Sequence, residues 1–139
     1  MTEPLTKQEL QQALARSTFI SFMGLEVIDA DAAAQQVTMR MPMRAEFERG
    51  SEGKQWHGGP IAALIDTVGD YALVMLLRRP LPTINFRVDY LRPAINTSLT
   101  AVARVRRSGK SVGVVDIDVF DDKNSLVAVG RATYSTLAL

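Results

Sequence analysis

One apolar run near the centre of the chain constrains the fold more than any other segment. Residues 59–77, GPIAALIDTVGDYALVMLL, place apolar side chains around nearly the whole circumference of an α-helix. Pro60 suits the first helical turn, where its missing N–H leaves no hydrogen bond unmade. A helix that is apolar on nearly every side must be buried on nearly every side, so the rest of the chain has to enclose it.

The segments around this helix alternate apolar and polar residues with period two, as half-buried strands do. Two such segments precede the helix and four follow it, at residues 25–29, 36–43, 83–91, 98–106, 111–121 and 126–136. The turn signals RSGK and DDKN separate the last three, which favours antiparallel neighbours. The pattern predicts an α+β fold in which an antiparallel sheet wraps the long helix. Because one sheet layer would leave the helix partly exposed, we expect a partner subunit.

A short amphipathic helix is predicted before the first strand. Thr6 and Glu9 have the spacing of a capping box, and Leu10 and Leu14 share one helical face. This helix should span about residues 7–15.

Composition excludes several classes of function. A chain of 139 residues is predicted to form a single domain, residues 1–139, and its net charge of +1 gives no field for nucleic acid or a membrane surface. The absence of cysteine removes disulfides and thiolate nucleophiles, and one histidine alone is poor material for a metal site. The N-terminus lacks a signal-peptide core, and Asp66 and Asp70 interrupt the longest apolar run. We expect a cytoplasmic protein without metal or cofactor.

Two glycines stand where the long helix begins. Gly58 and Gly59 lack side chains, and the first turn of a helix presents free N–H groups at the positive end of its dipole. Such a place suits a phosphate, or the oxyanion that forms when a carbonyl is attacked. The alternative is that both glycines merely permit a tight turn and close packing.

Asp66 is an acid inside the apolar helix. It lies about two turns beyond Gly58, roughly 10 Å at 1.5 Å per residue, so it cannot easily serve the N-terminus of its own helix. In a twofold dimer with antiparallel helices it could serve the partner's N-terminus and act as general base on a water. Alternatively, it is a buried acid bonded to the backbone or to Thr67, or it is simply exposed. Asp70, one turn further, could couple to Asp66 and have a raised pKa, or could mark a hydrogen-bonded edge.

His57 and the polar loop at 44–56 precede the glycines. A loop of this length is usually functional. His57 could act as a base, but we expect it to orient the loop by hydrogen bonds. Ser51 is near in sequence, although no nucleophile-elbow motif accompanies it.

Several of these segments together resemble one family. The run HGGPIAALID at 57–66 is similar to the HGG-x(6)-D segment of hotdog-fold acyl-CoA thioesterases of the PaaI-like (phenylacetic acid degradation) branch. TINFRVDYLRPA at 83–94 resembles that branch's strand, residues 107–110 its hairpin, and residues 126–134 its last strand. The similarity covers about residues 20–137.

The resemblance implies a hotdog fold that forms homodimers or homotetramers with active sites at the subunit interface. It implies that Gly58 donates its N–H to the thioester carbonyl, and that Asp66 comes from the other subunit as base or nucleophile. Thr83 would help to hold the water. An Asn or Gln often precedes the HGG of this family, and here Ser51 and Gln55 are the candidates. The implied substrate is a coenzyme A thioester, hydrolysed to acid and thiol.

Coenzyme A carries phosphates, so basic residues are expected at the pocket mouth. The candidates are Arg106, Arg107 and Lys110 at the hairpin, or Arg78 and Arg79 after the helix; solvated turn charges are the alternative.

Two other functions stay open. One is a non-catalytic protein that binds or senses acyl-CoA, although the N-terminal helix is too short for a DNA-binding helix-turn-helix. The other is a hotdog enoyl-CoA hydratase. Hydratases of this fold have a histidine five residues after the aspartate, where this chain has Tyr71.

Overall fold

A computed structural model describes residues 3–138 of the chain. The helices are α1 (Lys7–Leu14), α2 (Thr18–Met23) and α3 (Gly58–Leu77), with a 3-10 turn at Ala45–Phe47. The strands are β1 (Glu26–Asp31), β2 (Gln36–Met41), β3 (Thr83–Tyr90), β4 (Leu99–Ser108), β5 (Val112–Phe120) and β6 (Leu126–Ser135). The bounds agree with those predicted from sequence to within two residues.

The six strands of the described residues form one antiparallel sheet in the order β1-β2-β4-β5-β6-β3. The last three strands along the chain are neighbours, as their turn signals predicted. Strand β3 lies at the far edge and pairs only with β6 within this part of the chain. Its alternating pattern predicted a half-buried strand, yet Ile84 and Tyr90 are 57% and 53% exposed. The reason is that an edge strand lacks a neighbour on one side.

Helix α3 packs against the inner face of the sheet. The helix residues Leu64, Ile65, Val68, Ala72 and Leu73 are completely buried. Among the described residues, α3 is also long and apolar enough for a membrane span, with a mean hydropathy of 1.6. Burial against the sheet accounts for that composition.

Helix α1 is fixed to both the sheet and α3. The capping box is present, with Thr6 and Glu9 each accepting a 3.1 Å hydrogen bond from the other's main-chain N–H. The side chain of Gln11 donates to the main-chain O of Leu25 and accepts from the N–H of Val27. It therefore pairs with the free edge of β1 in the way that a neighbouring strand would. Just before α1, the main-chain N–H of Leu5 donates to the main-chain O of Met75 in α3 at 2.8 Å.

Candidate active site at the two ends of strand β3

Helix α3 begins at Gly58, one residue before the earliest start predicted, and His57 is its N-cap. The His57 Nδ1 accepts a hydrogen bond of 3.4 Å from the N–H of Gly59. The main-chain N–H of His57 donates to the main-chain O of Phe47 at 2.8 Å. His57 therefore makes contacts that orient the loop before the helix.

The peptide group between Gly58 and Gly59 is held at both ends. Its N–H donates to His57, and its carbonyl O, that of Gly58, accepts a 2.7 Å hydrogen bond from the Tyr90 hydroxyl. Among the described residues the N–H of Gly58 itself makes no hydrogen bond. Of the two glycines, Gly58 therefore presents a free amide donor at the positive end of the helix.

Tyr90 was missed as a site residue in the sequence. A Cβ at Gly58 would lie 3.2 Å from both the Cζ and the Oη of Tyr90, so the ring covers this glycine closely. In the sequence, Tyr90 is the tyrosine of YLRPA at the end of β3. No local sequence pattern predicts its contact with a glycine that lies 32 residues earlier. Its half-exposed ring forms one wall of the space in front of the helix.

Gly58 lines a cavity of about 420 Å³. Gln55, His57 and Tyr90 line it, together with Arg49 and Arg92. The side chain of Trp56 fixes this loop by stacking on Phe47 at 5.5 Å between ring centroids and by donating from Nε1 to the carbonyl of Thr97. Trp56 also lines the cavity, so a side chain that is fixed at both its ring face and its Nε1 stands beside the two arginines.

The two candidate site residues of the loop before α3, Ser51 and Gln55, lie in different places. Gln55 lines this cavity, whereas Ser51 lies in a separate open hollow with Glu48 and Lys54. Of the two residues predicted to precede the glycines as a site group, Gln55 is therefore the one beside Gly58.

Asp66 and Thr83 meet at the other end of β3. The Thr83 Oγ1 donates a 2.8 Å hydrogen bond to the Asp66 Oδ1, which leaves Oδ2 available as an acceptor. The Tyr134 hydroxyl donates a 2.7 Å hydrogen bond to the main-chain O of Asp66. Burial raises the pKa of Tyr134, so its phenol stays protonated and continues to donate. Asp66 is thus held through both its side chain and its backbone.

Asp70 follows one turn later and is partly buried. Its Oδ1 is buried without a hydrogen-bond partner among the described residues. Burial, with a contribution from the charge of Asp66, raises the pKa of Asp70 to about 7. The carboxyl is therefore a mixture of acid and carboxylate at neutral pH.

Most of the predicted basic residues do not lie beside Gly58. Arg106 makes a 3.4 Å ion pair with Asp116 across the sheet, while Arg107 and Lys110 are exposed at the β4–β5 hairpin. That hairpin contacts the segment after β6, since Thr136 donates to the carbonyl of Gly109. The arginines that line the Gly58 cavity are Arg49 and Arg92, which were not predicted from the sequence.

The two arginines after α3 have structural contacts instead. Arg78 donates to the carbonyl of Glu3 and pairs with Glu9 at 3.8 Å. Arg79 donates to the carbonyls of Thr136 and Leu137.

The profile of one protein family matches the segment that contains this site. The thioesterase superfamily profile covers residues 53–128, more than half of the chain. The chain belongs to the thioesterase superfamily. It is therefore a thioester hydrolase, and its helix wrapped by an antiparallel sheet is the hotdog fold predicted from sequence.

Individual relatives agree with this assignment. This thioesterase is 36% identical over 126 residues to a putative esterase of Halobacterium salinarum, covering 83% of this chain and 82% of that protein. It is 32% identical over 110 residues to the acyl-coenzyme A thioesterase PaaI of Escherichia coli, covering 78% of this chain and 75% of that protein. These relatives confirm the resemblance to the PaaI-like branch.

Solved structures agree with the fold. One thioesterase-superfamily crystal structure superposes with a TM-score of 0.87 at 32% identity, covering 93% of this chain and 96% of that one. The structure of Escherichia coli PaaI superposes with a TM-score of 0.81 at 26% identity, covering 94% and 92% of the two chains.

Proposed function

We propose that this thioesterase hydrolyses acyl-CoA thioesters to free acid and coenzyme A at sites shared between two subunits. The observation that carries the proposal is the separation of the two reactive groups within one chain. The free N–H of Gly58 lies at one end of β3, beside Tyr90, and the Asp66 carboxylate lies at the other end, bonded to Thr83. The relative PaaI, named as an acyl-coenzyme A thioesterase, supports this substrate class.

A twofold dimer through β3 would join these groups. The edge of β3 that faces away from β6 has no strand beside it among the described residues, so its N–H and C=O groups can pair with another strand. Antiparallel pairing of β3 with its own copy about the strand midpoint aligns Thr83 with the partner subunit's Tyr90. Each Asp66 then faces the partner's Gly58, and the twofold axis makes two identical sites.

The chemistry follows from the groups assembled there. The N–H of Gly58 donates to the thioester carbonyl O and stabilises the negative charge that develops on it. Asp66 of the other subunit takes a proton from a water, whose oxygen forms a bond to the carbonyl carbon. The C–S bond then breaks and the thiolate takes up a proton, which gives the acid and free coenzyme A. Thr83 holds the Asp66 Oδ1, so that Oδ2 points to the water.

We assign substrate-binding roles to three residues around Gly58, namely Gln55, Arg49 and Arg92. The amide of Gln55 can position the thioester or the water, and the two guanidinium groups suit the phosphates of coenzyme A. Arg107 and Lys110 can bind these phosphates only if the dimer brings the partner's β4–β5 hairpin to the entrance of the Gly58 cavity.

Free-thiol release from a panel of acyl-CoAs tests the activity, with Asp66→Ala and Gly58→Val as inactive variants. Co-expression of the two variants tests the sharing. Random assembly gives half mixed dimers, each with one intact site of two, so about a quarter of wild-type activity should return. A site built within one chain would return none. Tight acyl-CoA binding without any turnover by wild type would instead indicate a sensing protein.

A further inference from the structure

Tyr134 is a buried titratable side chain that takes no direct part in the proposed reaction. It is the largest fully buried side chain of residues 3–138, and it extends from β6 to the middle of α3. Its hydroxyl donates a 2.7 Å hydrogen bond to the main-chain O of Asp66. Because the group is buried, no water competes for this donor. The contact therefore joins the last strand to the helical turn that carries the proposed base.

The helix has a glycine where this hydroxyl meets it. Gly69 lies three residues after Asp66. A Cβ at Gly69 would collide with the Tyr134 Oη and lie 3.0 Å from the Ile117 Cδ1. Glycine is a poor helix former, and at this buried position it leaves the room that the hydroxyl needs to approach the helix backbone.

Tyr134 and Thr83 are cross-strand neighbours in the pairing of β3 with β6. Regular alternation from Phe86, which faces α3 on the inner side of the sheet, would place Ile84 on the inner face and Thr83 on the outer face. A β-bulge after Thr83, with Ile84 as the extra residue, reverses this and lets the Thr83 hydroxyl reach α3. Bulges often redirect a side chain beside an active site. Here the bulge brings Thr83 and Tyr134 to the same residue of the helix.

These two neighbours in the sheet hold Asp66 at two points. Thr83 donates to its carboxylate at 2.8 Å, and Tyr134 donates to its main-chain O. We infer that Tyr134 is a positioning residue for the base: its hydroxyl fixes the backbone of Asp66, so that the carboxylate held by Thr83 meets the water in one orientation. The inference rests on the proposed hydrolysis with Asp66 as base. Small displacements of a catalytic group lower the rate strongly, which gives this contact its effect on turnover.

A purely structural role of Tyr134 gives different expectations. If the hydroxyl only joined β6 to α3, its removal would lower the stability and leave kcat of the folded enzyme unchanged. If it positions Asp66, its removal lowers kcat, and does so only while residue 66 is able to take the proton from the water.

The test is steady-state thiol release with the acyl-CoA that wild type hydrolyses fastest. Tyr134→Phe should lower kcat about five- to tenfold, the effect of one hydrogen bond, and change KM by less than twofold. In an Asp66→Asn background the same change should lower the residual kcat by less than twofold, because no base is left to position. Thr136→Val is the matched control, since it also removes a hydroxyl that donates to a main-chain carbonyl, that of Gly109. It should keep kcat within twofold of wild type.

A second pair of variants separates positioning from packing. Gly69→Ala should displace the Tyr134 hydroxyl and lower kcat to the level of Tyr134→Phe. The double variant Gly69→Ala/Tyr134→Phe lacks the colliding oxygen, so its midpoint of urea unfolding should rise above that of Gly69→Ala. Its kcat should nevertheless stay at the level of Tyr134→Phe, because the hydrogen bond is still missing.

Three results would overturn the inference. Wild-type kcat in Tyr134→Phe, with Asp66→Asn impaired, would reject positioning and leave the proposed function in place. An equal loss in both backgrounds, or a kcat that recovers together with stability in the double variant, would assign Tyr134 to the fold alone. No hydrolysis of any acyl-CoA by wild type, or full activity of Asp66→Asn, would remove the proposed function together with the inference.

Discussion

The hydroxyl of Tyr90, the last residue of β3, donates a hydrogen bond of 2.7 Å to the carbonyl O of Gly58, the first residue of α3. This contact ties the edge strand to the N-terminus of the core helix. His57 holds the N–H of the same peptide group through Nδ1. The two contacts fix the helix end from which the free N–H of Gly58 points.

Tyr90→Phe should lower kcat for acyl-CoA hydrolysis about five- to tenfold and change KM by less than twofold. The variant removes one hydrogen bond that orients the donor, typically worth about 1 kcal/mol, while the ring still covers Gly58. Steady-state kinetics by thiol release measures both constants. An unchanged kcat would mean that the bond supports the fold and not the reaction.

Asp66→Asn should lower kcat by about a hundredfold or more, because the amide cannot take the proton of the water. Asp118→Asn is the control, since this exposed carboxylate lies on the outer face of the sheet. Thiol-release assays of both variants at equal enzyme concentration decide the point. Equal losses in the two variants would contradict the role of Asp66.

Thr83→Val should lower kcat about tenfold, whereas Thr83→Ser should stay within twofold of wild type. Valine keeps the shape of the side chain but removes the hydroxyl that donates to the Asp66 Oδ1, and serine keeps the hydroxyl. The comparison is informative because Thr83 is exposed, so neither change disturbs the core. Equal activity of the two variants would show that the hydroxyl does not orient Asp66 during turnover.

Asp70→Asn should stabilise the protein more at pH 8 than at pH 4. The pKa of Asp70 in the folded state, about 7, lies above its ordinary value of 3.8. Folding is therefore penalised increasingly as pH rises from about 4 to about 7, and the penalty is constant above that range. A shift of this size corresponds to at most about 4 kcal/mol.

Urea unfolding of wild type and Asp70→Asn at pH 4, 6 and 8 measures this difference. The two free energies of unfolding should converge at pH 4 and diverge at pH 8. A difference that is independent of pH would mean that Asp70 titrates near its ordinary value.

Local patterns predicted the helices and strands because each leaves its own period in the sequence. The apolar run after Pro60 and the capping box at Thr6 needed no knowledge of distant residues. The position of β3 beside β6 depends on how the connection at 91–98 crosses the fold, and no local signal encodes that crossing. This is why Tyr90 was missed as a neighbour of Gly58.

The positions of the basic residues also depend on contacts between distant segments that local patterns do not encode. Arg106 was selected for its place in a hairpin, but cross-strand register brings it to Asp116, which also binds Arg131 through both of its carboxylate oxygens. Arg49 and Arg92 come from two loops that meet only in the folded chain. Ser51 lies in the turn before Gln55, whereas Gln55 forms an antiparallel bridge with Ile95. This distant pairing, which local sequence does not encode, places the two residues at different sites.

The length of strand β3 also sets a distance within the proposed site. Thr83 at its start and Tyr90 at its end hold the two reactive groups, so its eight residues set the distance between the halves of each proposed site. Inserting or deleting one residue would shift that distance by about 3.3 Å and turn the following side chains to the opposite face. The length of this exposed strand should therefore tolerate far less change than the identity of the side chains between its two ends.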